Sequence, residues 1–295
     1  MQSKGLAGMI AGDSKIATVG LGNGLNYRGY NVEELAEKST FEEVFYLLLY
    51  ERLPLKNELE AFVATIANER YIPMHMQDIL AKIPANAHPM DVMRCITSVM
   101  GTLEPEDGVE RTAESISIRL VAMMGPALLF WHHYHKSGLR INGFTGPKDS
   151  VAENFMKLLT LKFDEKVDPV IIKTFDVSLI LYAEHDFNAS TFAARVTTST
   201  KSDFYSGITS AIGTLRGPLH GGANEAAMEF LRQFNSIEEA DAKLREIFKN
   251  KGLIMGFGHR VYKNGDPRNG IIKVSLILTT TSIRDTPNSS PPCLS

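Results

Sequence analysis

Three histidines carry the residue types and settings from which chemistry can be built: His185 (LYAEHDFNAS), His220 (RGPLHGGANE) and His259 (GFGHRVYKNGDPR). Each falls where a helical pattern stops or restarts, and the last two have glycines close by. Glycine permits close backbone approach and positive φ, so a histidine set among glycines is presented to a ligand instead of packed. His220 precedes a helix-like stretch, GANEAAMEFL. A helix N-terminus disfavours imidazolium and leaves a neutral ring able to donate to a carbonyl, as an enolate-stabilising group must. Arg268 follows Asp266-Pro267, nine residues beyond His259. A guanidinium fixed by such a turn can grip a carboxylate with two parallel hydrogen bonds.

Zinc is the competing use of three histidines. Their spacings are 35 and 39 residues, none stands in an H-x-H or H-E-x-x-H pair, and no cysteine is close, so no metal is expected. His132, His133, His135 and Lys136, just before Gly138, read as the cationic end of a helix solvated by water.

Such residues need a scaffold that holds loops still. Residues 5–30 are Gly-rich with alternating small and apolar side chains, which predicts short strands or extended loops. From Asn31 the pattern turns helical. VEELAEKS forms a short turn, and Thr40 caps FEEVFYLLLYERL with Glu42 and Glu43 in the first turn, where the dipole favours acids. NELEAFVATIANER, MHMQDILAKI and PMDVMRCITSVMGTL follow, then a long stretch from about Thr112 to Lys136. That stretch is apolar nearly all round and predicts a core helix bent at Gly125-Pro126. After a polar loop at 138–150 come SVAENFMKLLTL, DPVIIKTFDVSLILYAEH, NASTFAARVTTST, SDFYSGITSAIGTLRG and GANEAAMEFLRQF. SIEEADAKLREIFKNKG closes the series, with Ser236 as its N-cap. A mainly α fold with layered helices is the expectation. Beyond Arg268 the chain runs NGIIKVSLIL and then TTTSIRDTPNSSPPCLS, rich in Thr, Ser and Pro and without helical period, which reads as disorder.

The 295 residues suffice for one large or two modest domains, and 44% hydrophobic with 22% charged content is ordinary for a globular core. A formal net charge of −3 gives no global field for nucleic acid or an anionic membrane. No apolar run reaches the ~20 residues of a bilayer span. The opening MQSKGLAGMIAGDSKI lacks the basic-then-apolar layout of a secretory signal. Two cysteines, Cys95 and Cys293, cannot make a disulfide framework and suit a reducing, cytoplasmic setting.

Taken together, HPMDVMR (88–94), AEHDFNAST (183–191), RGPLHGGANE (216–225) and GFGHRVYKNGDPR (256–268) resemble the citrate synthase family, as do GLAGMIAGDSKI and LNYRGYN near the start. The likeness covers about residues 5–273. LYAEHDFNASTFAARV and the HPMDVMR form are most similar to the 2-methylcitrate synthases within it.

The resemblance implies condensation of propionyl-CoA, or acetyl-CoA, with oxaloacetate to give 2-methylcitrate or citrate. An ordinary citrate synthase and a non-catalytic remnant that binds CoA or a dicarboxylate are the alternatives. By motif, His220 would hold the thioester carbonyl and its enol, and His259 would protonate the oxaloacetate carbonyl. His185 and Arg268 would bind oxaloacetate, and Lys251, Gly252, Leu253, Ile254 and Met255 would receive CoA. Tyr182 is either a border of the acyl pocket or a core tyrosine. No permanently bound cofactor is implied, and a homodimer is. The fold implied is a large helical domain (1–220) with an incomplete small helical domain (221–273) and a tail (274–295) outside the family pattern. The family's base is an aspartate in a later motif. Asp266 belongs to the DPR turn and Asp285 to the tail, so this chain is expected to have little or no synthase activity.

Overall fold

The computed structural model describes residues 11–19, 24–163, 166–256, 262 and 265–285. Its small sheet is antiparallel: β1 (Ala17–Val19), β2 (Leu25–Tyr27) and β3 (Tyr30–Asn31), in that order. Tyr27 pairs with Ala17 on one side and Tyr30 on the other. The link between β2 and β3 is Arg28-Gly29 with φ of 49° and 89°. Two positive φ values mark the tight hairpin turn whose twist matches the strands. The described part of the expected extended segment thus forms these strands, while residues 5–10 and 20–23 lie outside the described residues.

All remaining elements among the described residues are helices, and the fold is mainly α: α1 (Val32–Lys38), α2 (Phe41–Tyr50), α3 (Lys56–Asn68), α4 (Met74–Leu80), α5 (Pro89–Leu103), α6 (Ala113–Ser137) and α7 (Val151–Thr160) come first. Then follow α8 (Pro169–Leu181), α9 (Ala189–Ser199), α10 (Phe204–Leu215), α11 (Gly222–Leu231), α12 (Ile237–Lys249) and α13 (Pro267–Asp285). Side-chain caps explain the starts. Thr40 and Glu43 make a reciprocal capping box at α2, and Ser150, Asp168, Asn188, Asp203 and Ser236 each accept a backbone N–H of the helix they open. The caps read from Thr40 and Ser236 are therefore where the sequence puts them. Glu42 does more than favour a dipole: it is 2% exposed and accepts the Val151 N–H at 2.7 Å, so it ties α2 to α7.

α6 is the central element. Ile116, Leu120, Met123, Ala127, Phe130 and Trp131 are buried against α4, α5 and α7. By length and composition α6 could cross a membrane, which the run-length reading missed because polar residues interrupt its apolar stretches. Its residues pack instead into the protein core. Pro126 lies within the continuous helix, and bare Gly125 lets the Phe155 ring approach. The histidines at its end do not merely solvate it. His133 is 5% exposed and its Nε2 meets the Leu158 carbonyl at 2.8 Å, while His135 Nε2 meets the Leu80 carbonyl at 3.2 Å.

The largest difference from expectation is at the end of the chain. The composition from 274 onward predicts disorder, but α13 stays helical to Asp285. Ile271 and Ile272 pack on the cluster formed by Leu25, Tyr27, Leu35, Val177 and Ile180. The Thr174 hydroxyl meets Thr279 Oγ1 at 2.7 Å and donates to the Ser275 carbonyl at 3.2 Å. Weak local helical preference in SLILTTTS is overridden by docking on α8 and α1. Residues 286–295 lie outside the described residues.

Candidate active site

The turn that bears His220 folds back over the end of α10. The His220 N–H donates to the Gly217 carbonyl at 2.9 Å, and the Gly222 N–H to the same oxygen at 3.1 Å. The glycines here serve packing, not positive φ, since Gly221 has φ of −60°. A Cβ on Gly221 would stand 2.7 Å from the Leu215 carbonyl oxygen, and one on Gly222 would stand 2.8 Å from that of Arg216. Only bare backbone closes this turn tightly.

The imidazole of His220 points at the first turn of α9. The Ser190 N–H donates to His220 Nε2 at 3.3 Å, and Ser190 Oγ lies 2.9 Å from the same nitrogen. With Nε2 as the acceptor of that backbone N–H, the proton of the neutral ring is assigned to Nδ1. Burial holds the ring below the ordinary histidine range. The neutral form read from the helix N-terminus is thus present, but desolvation is the resolved cause. Ser190 was missed by the sequence reading. Its signal was the NAST segment, where Asn188 caps α9 by accepting from Thr191 N–H at 3.0 Å and leaves the N–H of Ser190, in the first helical turn, to reach outward.

His185 sits at the other end of the same connection between α8 and α9. Its Nε2 lies 3.1 Å from the Tyr262 hydroxyl, with the rings edge to face at 5.5 Å. The neighbouring Glu184 accepts the His185 N–H at 3.0 Å, and burial raises its carboxyl above the usual range. Tyr262 was likewise not singled out.

Arg268 begins α13 and does not stand in a free turn. Asp266 accepts its backbone N–H at 3.0 Å and its side chain through Nε (3.0 Å) and Nη2 (2.6 Å). Burial alone would lower the guanidinium, but the bonds to Asp266 outweigh it and hold it protonated. Tyr27 and Tyr262 also lie within electrostatic reach. The structure therefore brings His185, Tyr262, Asp266 and Arg268 into one polar group beside the connection between α8 and α9, and Ser190 of α9 meets His220.

His259 lies outside the described residues. Lys251 to Met255 form a turn after α12, with Lys251 at φ of 53° and Leu253 exposed. Just after it, Gly256 approaches Ala227 of α11 so closely that a Cβ there would lie 3.0 Å away. Tyr182 is not a core residue. It is 64% exposed, and its hydroxyl accepts from Asn224 Nδ2 at 2.7 Å, over the His220 turn. Among the described residues no three His, Cys, Asp or Glu side chains are grouped as metal ligands.

A neutral imidazole with Nδ1–H outward can donate to a developing enolate, and a protonated, partly buried guanidinium can hold a carboxylate. Residues 5–285 match the family model described as citrate synthase, C-terminal domain. The chain is 47% identical over 272 residues to the 2-methylcitrate synthase of Shewanella oneidensis, covering 91% of this chain and 71% of that protein. It is 44% identical over 277 residues to the citrate synthase of Mycolicibacterium smegmatis, covering 92% and 72%. Citrate synthase of Thermotoga maritima superimposes with a TM-score of 0.82 at 37% identity, over 97% of this chain and 75% of that one. So does citrate synthase of Thermoplasma acidophilum, in its ternary complex with carboxymethyl coenzyme A and oxaloacetate, with a TM-score of 0.83 at 30% identity over 94% and 73%.

Proposed function

The chain belongs to the citrate synthase family, and on that premise we propose that it joins an acyl-CoA to oxaloacetate, with propionyl-CoA as the preferred acyl donor and 2-methylcitrate as the product. The observation that carries this reading is the geometry of His220. Its Nε2 is tied to the Ser190 N–H, so its Nδ1–H is the proton available to a thioester oxygen. Loss of the α-proton of the acyl group places negative charge on that oxygen, and a fixed neutral donor stabilises the charge without reorganising. The enol carbon then attacks the keto carbon of oxaloacetate. His259 is the proposed source of the proton for the new alkoxide, and hydrolysis of the thioester releases CoA. In this reading His185 and Arg268 receive the oxaloacetate carboxylates, and residues 251–255 receive CoA.

The choice of propionyl-CoA is supported by the 47% identity to a 2-methylcitrate synthase. The second reading, acetyl-CoA and citrate, is supported by the 44% identity to a citrate synthase. We also propose that this chain alone turns over slowly. Two carboxylates near the histidine–arginine group are already engaged, Asp266 by the Arg268 side chain and Glu184 by the His185 N–H, which suits neither to remove the α-proton. A homodimer completes the reading. In the single chain α9 buries none of its residues, and Val196 on it is 53% exposed.

The test measures CoA-thiol release from propionyl-CoA and from acetyl-CoA with oxaloacetate, and ligand affinity by calorimetry. Binding of oxaloacetate with slow, propionyl-preferring release is expected. Absence of binding by both ligands would refute the assignment, and faster release from acetyl-CoA would favour the second reading. Light scattering that finds only monomer would remove the dimer.

A further inference from the structure

The HPMD segment (88–91) has no role in the chemistry above, yet it touches both flanks of the His220 turn. His88 caps α5 by accepting the Met90 N–H at Nδ1 over 3.1 Å. That leaves the ring proton on Nε2, which lies 2.9 Å from both Oε1 and Oε2 of Glu225 in the first turn of α11. Three residues further along α5, Asp91 Oδ2 lies 3.7 Å from Nε of Arg216, which follows α10. Residues 216 and 225 bound the turn that carries His220. One end of one helix therefore holds both ends of the turn, through two pairs whose side chains come from sequence positions more than a hundred residues away.

We propose that His88, with Asp91, is a positioning residue that clasps the 216–225 turn and so sets where the His220 imidazole points. Energy considerations favour a positional role over a stabilising one. The Glu225 side chain is 48% exposed and that of Arg216 is 38% exposed, and pairs so open to water contribute little to stability. Their consequence lies in geometry instead, because a shift of about 1 Å at a reacting group can change a rate by ~100-fold. The Ser190–His220 contact cannot fix the turn alone, because it holds only the ring. His88 and Asp91 meet the Glu225 and Arg216 side chains on either side of it.

The inference rests on the function proposed for His220, but its test does not. Protein labelled with 15N-histidine reports the tautomer of each ring, and His220→Asn identifies the His220 signals. In the unaltered chain His220 should show a protonated Nδ1 and a bare Nε2 as two well-separated resonances. His88→Asn retains a good N-cap for α5 but is too short to reach Glu225. It should draw the two His220 resonances toward a common averaged position while the melting temperature moves by no more than ~3 °C. Glu225→Ala, which leaves the α5 cap in place, should do the same and decides the matter if His88→Asn does not fold. Unchanged His220 resonances in the folded variants would overturn the clasp, and so would an averaged tautomer in the unaltered protein. Failure of the synthase reading would appear separately, as absent acyl-CoA and oxaloacetate binding beside an intact tautomer signature.

Discussion

The N–H of Ser190, in the first turn of α9, donates to Nε2 of His220 at 3.3 Å. The contact spans 30 positions of sequence and turns an ordinary histidine into one with a defined proton. A neutral imidazole chooses between two tautomers, and an acceptor role at one nitrogen decides the choice. His220→Ala should therefore lower CoA release by ~10²–10³-fold, the usual cost of losing one oxyanion donor. The thermal midpoint should stay nearly unchanged, since the ring is only partly buried. Steady-state rates beside a melting curve check this, and an unaltered rate would exclude His220 from the chemistry.

Burial lowers the His220 pKa, and burial with nearby His133 and Lys136 lowers that of His132. In both cases the unfolded chain binds the proton more readily than the folded one. Stability should therefore rise with pH just below the ordinary value of 6.5 and fall as the solution is acidified from there toward the folded values. Melting temperature followed from pH 7.5 to pH 5 should show that fall, flattened in His220→Gln. A variant with the same pH slope as the parent would remove His220 from the linkage.

Arg268 is held through Nε and Nη2 by Asp266, which leaves the Nη1 side of the fork for a ligand. Arg268→Lys cannot hold Asp266 and a second carboxylate in one plane. Oxaloacetate affinity should drop by about tenfold or more, in line with the loss of a charge-assisted bond worth ~1.5–3 kcal/mol. Calorimetry reads it directly, and undiminished affinity would show that the dicarboxylate binds elsewhere.

Arg119 is 4% exposed and anchors the body of the fold. It grips Glu104 with Nε and Nη2 at 3.0 Å each, donates to the Tyr71 carbonyl at 2.8 Å, and lies over the Tyr71 ring at 3.9 Å. Removing one partner of a buried pair strands the other, at a cost of ~3–5 kcal/mol. Arg119→Ala should lose about that much in urea unfolding. Arg119→Lys should recover only part of it, because an ammonium cannot make the paired bonds to Glu104.

Local order was legible in the sequence. Thr40 with Glu43, Asn188 with Thr191 and Ser236 with Glu239 are contacts over three residues, so residue type and spacing suffice to place the starts of α2, α9 and α12. The nearly all-round apolar character of α6 marked it as the core helix for a similar reason. Where the local signal was weak, at SLILTTTS, the reading failed. α13 is held by Thr174, some hundred residues upstream, and nothing within the segment announces that partner.

By itself the sequence determined that this is a helical protein with His220 set among glycines where a helical pattern breaks, because these facts depend on neighbours along the chain. Tertiary structure alone decided which nitrogen of His220 carries the proton, that Tyr262 stands against His185, and that His88 reaches Glu225. Each of those contacts joins residues 30 to 137 positions apart. Their partners are selected by how whole helices pack, and no spacing rule encodes that choice.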